Sequence, residues 1–217
     1  MSHAILQGAY FAAIAVVLAM VEIHIEGKNG WAANLPTWRW GPEWFLRWTS
    51  RPVTGYHVWM LSLLLLFSHL PLVYLGFSWA GELRVLSLFS IMTIFWDFLW
   101  FLLNPAYGWR RFARRDVWWY GHWIGPFPTD YWLGALVSLL LWMARGWFER
   151  GVGAPARFFE WAAIFGVLSV VTLAAEIIFG MRATCPVPAP EAPPAPSPPP
   201  APPTPAGQPE PNPETRS

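Results

Sequence analysis

Charged side chains are scarce in this chain. They make up 12% of its 217 residues, while 55% are hydrophobic and mean hydropathy is +0.34. A soluble domain carries about 25% charged residues, so the composition excludes one and predicts an all-α integral membrane protein. Net charge is only +1, which gives no basis for a nucleic-acid partner. The single cysteine, Cys185, excludes an intrachain disulfide and a cysteine-based zinc cluster. Lys and Arg are missing ahead of the first apolar run and no small-residue cleavage pattern follows it, so the N-terminus reads as a first helix and not as a cleaved signal. The histidine triplets of membrane desaturases and hydroxylases (HxxxH, HxxHH), GxSxG, HExxH and a glycine-rich phosphate loop are all absent.

Long apolar runs are what the chain does have. A spanning helix needs about 20 mostly apolar residues, and five stretches are predicted to span: 5–26, 54–76, 83–104, 130–146 and 157–181. Together they form a bundle over residues 1–184. Pro71 is expected to kink the second helix and free a carbonyl. From Pro186 to Ser217, fifteen of 32 residues are proline. Residues 185–217 are therefore predicted to be a disordered, extended tail.

Lys28, Arg39, Arg47 and Arg51 lie in the first connection, and Arg110, Arg111, Arg114 and Arg115 in the third. By the positive-inside rule this bias predicts an outside N-terminus and a cytoplasmic C-terminus in a bacterial inner membrane. Arg145, Arg150 and Arg157 in the fourth connection run against it. The same two long connections hold Trp31, Trp38, Trp40, Trp44, Trp48, Trp109, Trp118, Trp119 and Trp123, with Trp132 just after. Indole rings settle at headgroup level, so a tryptophan-rich interfacial cap is expected, with "PEWFLRW" as a short helix in the interface.

An ionisable residue inside a span costs about 2.5–3.5 kcal/mol on insertion scales, which makes each a functional candidate. Glu22 and Glu26 are four apart and share a helix face, with His24 nearly opposite. His57 lies about one turn in from the same surface, and His69 about 18 Å deeper. Ser90, Thr93, Asp97, Trp100 and Asn104 form one stripe, and Ser169, Thr172 and Glu176 another. His122 and Asp130 belong to the cap. Glu22, Glu26, His57, Asp97, His122, Asp130 and Glu176 are all expected on the cytoplasmic side.

Three readings of that cluster stand. It is a metal site, with Glu22, Glu26, His57, Asp97 and His122 as ligands for zinc, iron or manganese. It is metal-free acid/base chemistry with Asp97, His57 and His122 as catalytic groups. Or it is a structural lock of carboxylates on Arg110, Arg111, Arg114 or Lys28. Haem is disfavoured, because no second helix offers histidines to match His57 and His69.

The segments "EIHIEGKNGWAANLPTWR", "TGYHVWMLSLLLLFSHLPLV" and "DFLWFLLNPAYGWRRF…VWWYGHW" resemble a group of small bacterial multipass membrane proteins. The likeness covers about residues 20–135 and implies no activity. That group often reads "EDFLWF"; here Trp96 precedes Asp97, so a second carboxylate is missing. The expected function is a membrane enzyme acting on a lipid or amphiphile at the cytoplasmic interface, with Arg110, Arg111, Arg114 and Arg115 holding its headgroup. A non-enzymatic subunit of a membrane complex is the alternative, and a proton-coupled transporter the third reading.

Overall fold

A computed structural model describes residues 2–180 of the chain. Cys185 and the proline-rich tail lie outside the described residues. The fold is mostly helical: α1 (Ser2–Glu26), α2 (Glu43–Thr49), α3 (Gly55–Ser68), α4 (Leu70–Leu75), α5 (Trp79–Leu103), α6 (Gly108–Arg111), α7 (Thr129–Ala144) and α8 (Ala154–Ala175). A 3₁₀ turn (Arg145–Trp147) follows α7, and α8 runs on into a π-helical turn (Glu176–Gly180). Two short antiparallel pairs brace the connections. β1 (Arg39–Trp40) joins β2 (Val53–Thr54) with Arg39 opposite Thr54, and β3 (Trp123–Ile124) joins β4 (Phe127–Pro128) with Trp123 opposite Pro128.

Among the described residues, four helical segments are long and apolar enough to cross a membrane: Ser2–Glu26, Gly55–Leu75, Trp79–Leu103 and Ala154–Phe179. The expected fourth span is the exception. Its helix, α7, has 16 residues and is about 24 Å long at 1.5 Å per residue, short of a ~30 Å hydrocarbon core. The expected break near Pro71 is present. The helix stops at Ser68 and restarts at Leu70 with Pro71 in its first turn, where the missing N–H costs least. The Leu65 carbonyl, which accepts the His69 backbone N–H at 3.2 Å, also meets His69 Nδ1 at 2.7 Å. The "PEWFLRW" helix is α2, ended by Ser50 in a left-handed conformation.

The core forms around α5, whose Ile91, Met92, Phe95, Trp96, Leu99 and Trp100 are buried. On one flank α7 runs antiparallel to α5. There Ser87 Oγ donates to the Ser138 carbonyl at 2.7 Å and Ser138 Oγ returns the bond to Ser87 at 2.9 Å. On the other flank α1 presents Ala4, Gly8, Ala12, Ala15 and Ala19, all buried. Spaced three and four apart, they form a smooth seam that lets neighbouring helices approach closely. A Cβ on Gly8 would stand 2.9 Å from Val167 Cβ and 3.3 Å from Ile164 Cα. Gly8→Leu is therefore expected to push α1 off α8 and cost about 1–3 kcal/mol as overpacking, read as a lower midpoint in thermal unfolding of detergent-solubilised protein.

The same seam continues past Ala19 into Glu22 and Glu26, which are also buried. Thus α1 carries two carboxylates toward its neighbours at the end where α3 begins.

Candidate metal centre

Glu22 and Glu26 stand one turn apart on α1, and His57 comes from the first turn of α3. His57 Nε2 lies 3.9 Å from Glu22 Oε1 and 3.6 Å from Glu26 Oε1. One ligand atom from each residue falls within 4.8 Å of the others, a grouping able to hold a metal ion. Both distances exceed a hydrogen bond. They are a few tenths of an ångström above the ~3.4 Å that separates tetrahedral ligands bound at about 2.0–2.2 Å.

The imidazole is oriented from behind. Thr54, wholly buried, caps α3 and holds His57 Nδ1 through Oγ1 at 2.6 Å. A partner on one ring nitrogen is how ligating histidines are commonly fixed, and here it turns Nε2 toward the carboxylates. Trp31 stacks on the ring at 4.1 Å with planes 18° apart. The Arg51 guanidinium packs over Trp31 at 4.3 Å and over Tyr120 at 4.4 Å.

Glu26 is held by backbone. Gly30, Trp31 and Ala32 all have positive φ (61°, 47° and 50°). Consecutive left-handed residues turn their N–H groups into an anion-binding concavity. Ala32 N–H donates to Glu26 Oε1 at 2.5 Å, and Trp31 N–H faces the same carboxylate. The loop is tied down by Arg39, which donates to the Ala32 and Ala33 carbonyls, and by Asn104, whose Nδ2 donates to Gly27 at 2.8 Å. The expected arginine lock on these glutamates is not what the fold uses. Arg110, Arg111, Arg114 and Arg115 are all exposed; Arg111 bonds the Ala106 carbonyl and Arg115 pairs with Asp116.

No family model, curated protein or solved structure matches the chain. Its site therefore rests on its own geometry.

Asp97 and His122 are the two expected ligands that stand outside the group of three. Asp97 Oδ2 accepts the hydroxyls of Tyr120, at 2.9 Å, and Tyr131. His122 is exposed and contributes only its carbonyl, to Thr129 N. Asp130 pairs with Arg51 at 2.6 Å, and Arg51 also donates to the Trp119 carbonyl at 3.3 Å. Burial works against the charge on Arg51, but Tyr120, Asp130 and Asp97 outweigh it and raise its pKa. Burial, and then the Asp97 charge, push the Tyr120 phenol well above its usual value, so it stays an O–H donor at neutral pH. Removing the shared acceptor in Asp97→Leu strands two phenols, at about 1–3 kcal/mol for each buried hydroxyl left unpaired. Thermal unfolding should show that loss with Asp97→Leu and much less of it with Asp97→Asn, whose carbonyl still accepts.

Of the polar stripes, Ser90, Thr93 and Asp97 line a groove against α7, whereas Asn104 is buried. Ser169, Thr172 and Glu176 line a cavity of about 670 Å³ among α5, α7 and α8. His24 is exposed, its ring on the Met20 carbonyl. The cap divides: Trp38, Trp40, Trp44, Trp48, Trp109, Trp118 and Trp132 face outward, but Trp119 is buried in the core. In the sequence Arg51 stands out only as a positive-inside charge, and nothing singles out Thr54, Tyr120 and Tyr131. The last two adjoin the more conspicuous His122 and Asp130, and a phenol carries no charge to flag its depth.

Proposed function

We propose that this chain is a multipass protein of the bacterial inner membrane that holds a divalent transition metal between Glu22, Glu26 and His57 at the cytoplasmic interface, and uses it on a lipid or other amphiphile. The observation that carries this reading is the convergence of two buried carboxylates and one pre-oriented imidazole nitrogen from different helices. A cation between them would offset the cost of burying two carboxylates side by side. Carboxylate and imidazole ligands suit zinc, iron or manganese. Three protein ligands leave a coordination position for water or substrate, as catalytic sites do. Such an ion polarises a carbonyl or phosphoryl oxygen or activates bound water.

An amphiphile is favoured by what adjoins the triad. A groove of about 610 Å³ runs between α1 and α3, lined by Ile25, Leu35, Trp38, Trp59, Met60 and Leu63. Tyr56, next to His57, lines it too, and its buried hydroxyl has no hydrogen-bond partner among the described residues. An apolar chain in that groove would lie with its polar end toward the metal. The outward tryptophans of the cap support seating at a membrane surface. They equally suit a scaffold subunit, the competing reading.

Metal analysis of detergent-purified protein separates the two. About one zinc, iron or manganese per chain is expected, and Asp97→Asn should retain it. Absence of metal after incubation with all three ions and gel filtration would leave the scaffold reading.

A further inference from the structure

The far end of the bundle, away from the glutamate pair, gathers three arginines. Arg84 comes from the first turns of α5, Arg145 from the turn after α7 and Arg157 from the first turn of α8. Arg145 is 2% exposed and Arg157 is 7% exposed. Arg145 and Arg84 share one carboxylate: both Glu149 oxygens accept from Arg145 Nη2, at 2.9 and 2.8 Å, and Arg84 Nη2 lies 3.8 Å from Oε1. Arg157 reaches only the Glu149 backbone carbonyl, at 2.9 Å. Trp142 is the floor, with the Arg145 guanidinium 4.2 Å above its ring. Glu160 is the other acid whose charge reaches Arg84, so the cluster keeps one positive charge in excess.

Its donors are also unspent. Arg84 Nε, Arg145 Nε, Arg145 Nη1 and Arg157 Nε are buried with no hydrogen-bond partner among the described residues. A buried donor left unmade costs about 1–3 kcal/mol, more on a charged group, and adjacent guanidiniums repel. The N-termini of α5 and α8 both lie at this end, and their dipoles add positive potential. The Arg84 side chain is 41% exposed and that of Glu149 29%, so the cluster is open on one side.

We infer that Arg84, Arg145 and Arg157 form a binding site for a phosphate group, carried by a phospholipid headgroup or free in solution. Guanidinium forks match phosphate oxygens in geometry and charge. A phosphate would take up the unspent N–H groups and the excess charge together. Glu149 then acts as an internal competitor that keeps Arg145 in place while the site is empty of anion.

Calorimetric titration of the protein in a phosphate-free maltoside detergent tests this, with short-chain phosphatidylglycerol and inorganic phosphate as separate probes. Saturable binding of either supports the site, and which one binds assigns the source. Arg84→Gln, the variant least able to disturb folding, and Arg145→Gln should each weaken binding at least about tenfold, the loss of a charge-assisted contact. Glu149→Gln should tighten it, and Arg47→Gln, on the exposed face of α2, should change nothing. No saturable binding of either probe overturns the inference. So does binding that Arg84→Gln leaves intact, or that Arg47→Gln weakens as much.

Discussion

With the proposed metal in place, His57→Ala and Glu26→Gln are each expected to abolish stoichiometric binding, lowering affinity by well over the roughly 10–100-fold that loss of an outer-shell partner costs. His57 supplies the one nitrogen of the set, and its removal leaves two carboxylates with no rigid third point. Glu26→Gln removes the charge while keeping the shape, so the turn of Gly30–Ala32 can still bond the side-chain oxygen. That variant therefore separates ligation from folding. Competition with a chromophoric chelator reads both, and wild-type affinity in either variant would remove the triad from the account. Thr54→Val, which takes away the oxygen that holds His57 Nδ1, should give a smaller loss, within that 10–100-fold range.

Gly30→Ala carries the second large effect, and it strikes fold and site together. Gly30 has φ of +61°, and a Cβ there would stand 2.4 Å from Trp119 Cη2 and 3.1 Å from Trp100 Cη2. The left-handed conformation costs a non-glycine residue about 1–2 kcal/mol, and overpacking against two buried indoles adds about 1–3 kcal/mol. Chemical denaturation of the detergent-solubilised protein should show a loss of about 2–5 kcal/mol. Because Gly30 leads into the N–H groups that hold Glu26, metal affinity should fall as well. Stability close to wild type would mean that the loop does not pack on Trp119 as described.

Much of this arrangement is written in spacing. Ala4, Gly8, Ala12, Ala15 and Ala19 set the buried seam of α1, and Glu22 and Glu26 continue it at steps of three and four. The inward direction of both glutamates is therefore legible from the sequence. His57 is legible through depth, one turn into its helix. Asp97 is legible as buried polarity but not as to its partners, since tyrosines distant in sequence take both of its hydrogen bonds. The connections were hardest. Nothing periodic marks Gly30, Trp31 and Ala32 as a left-handed turn, or Arg51 as a plate between Trp31 and Tyr120; those follow from tertiary packing, where Trp119 and Pro52 decide what fits. Hydropathy also overstates the length of the α7 helix, which ends at Ala144 before a 3₁₀ turn where Arg145 stacks on Trp142.

X-ray absorption at the metal edge of the purified, metal-loaded protein tests the central claim most directly. The predicted first shell is one imidazole nitrogen with the remaining donors oxygen, at about 2.0–2.2 Å, and it loses the imidazole signature in His57→Ala. A shell without imidazole, a shell containing sulfur, or one unchanged by His57→Ala would contradict it.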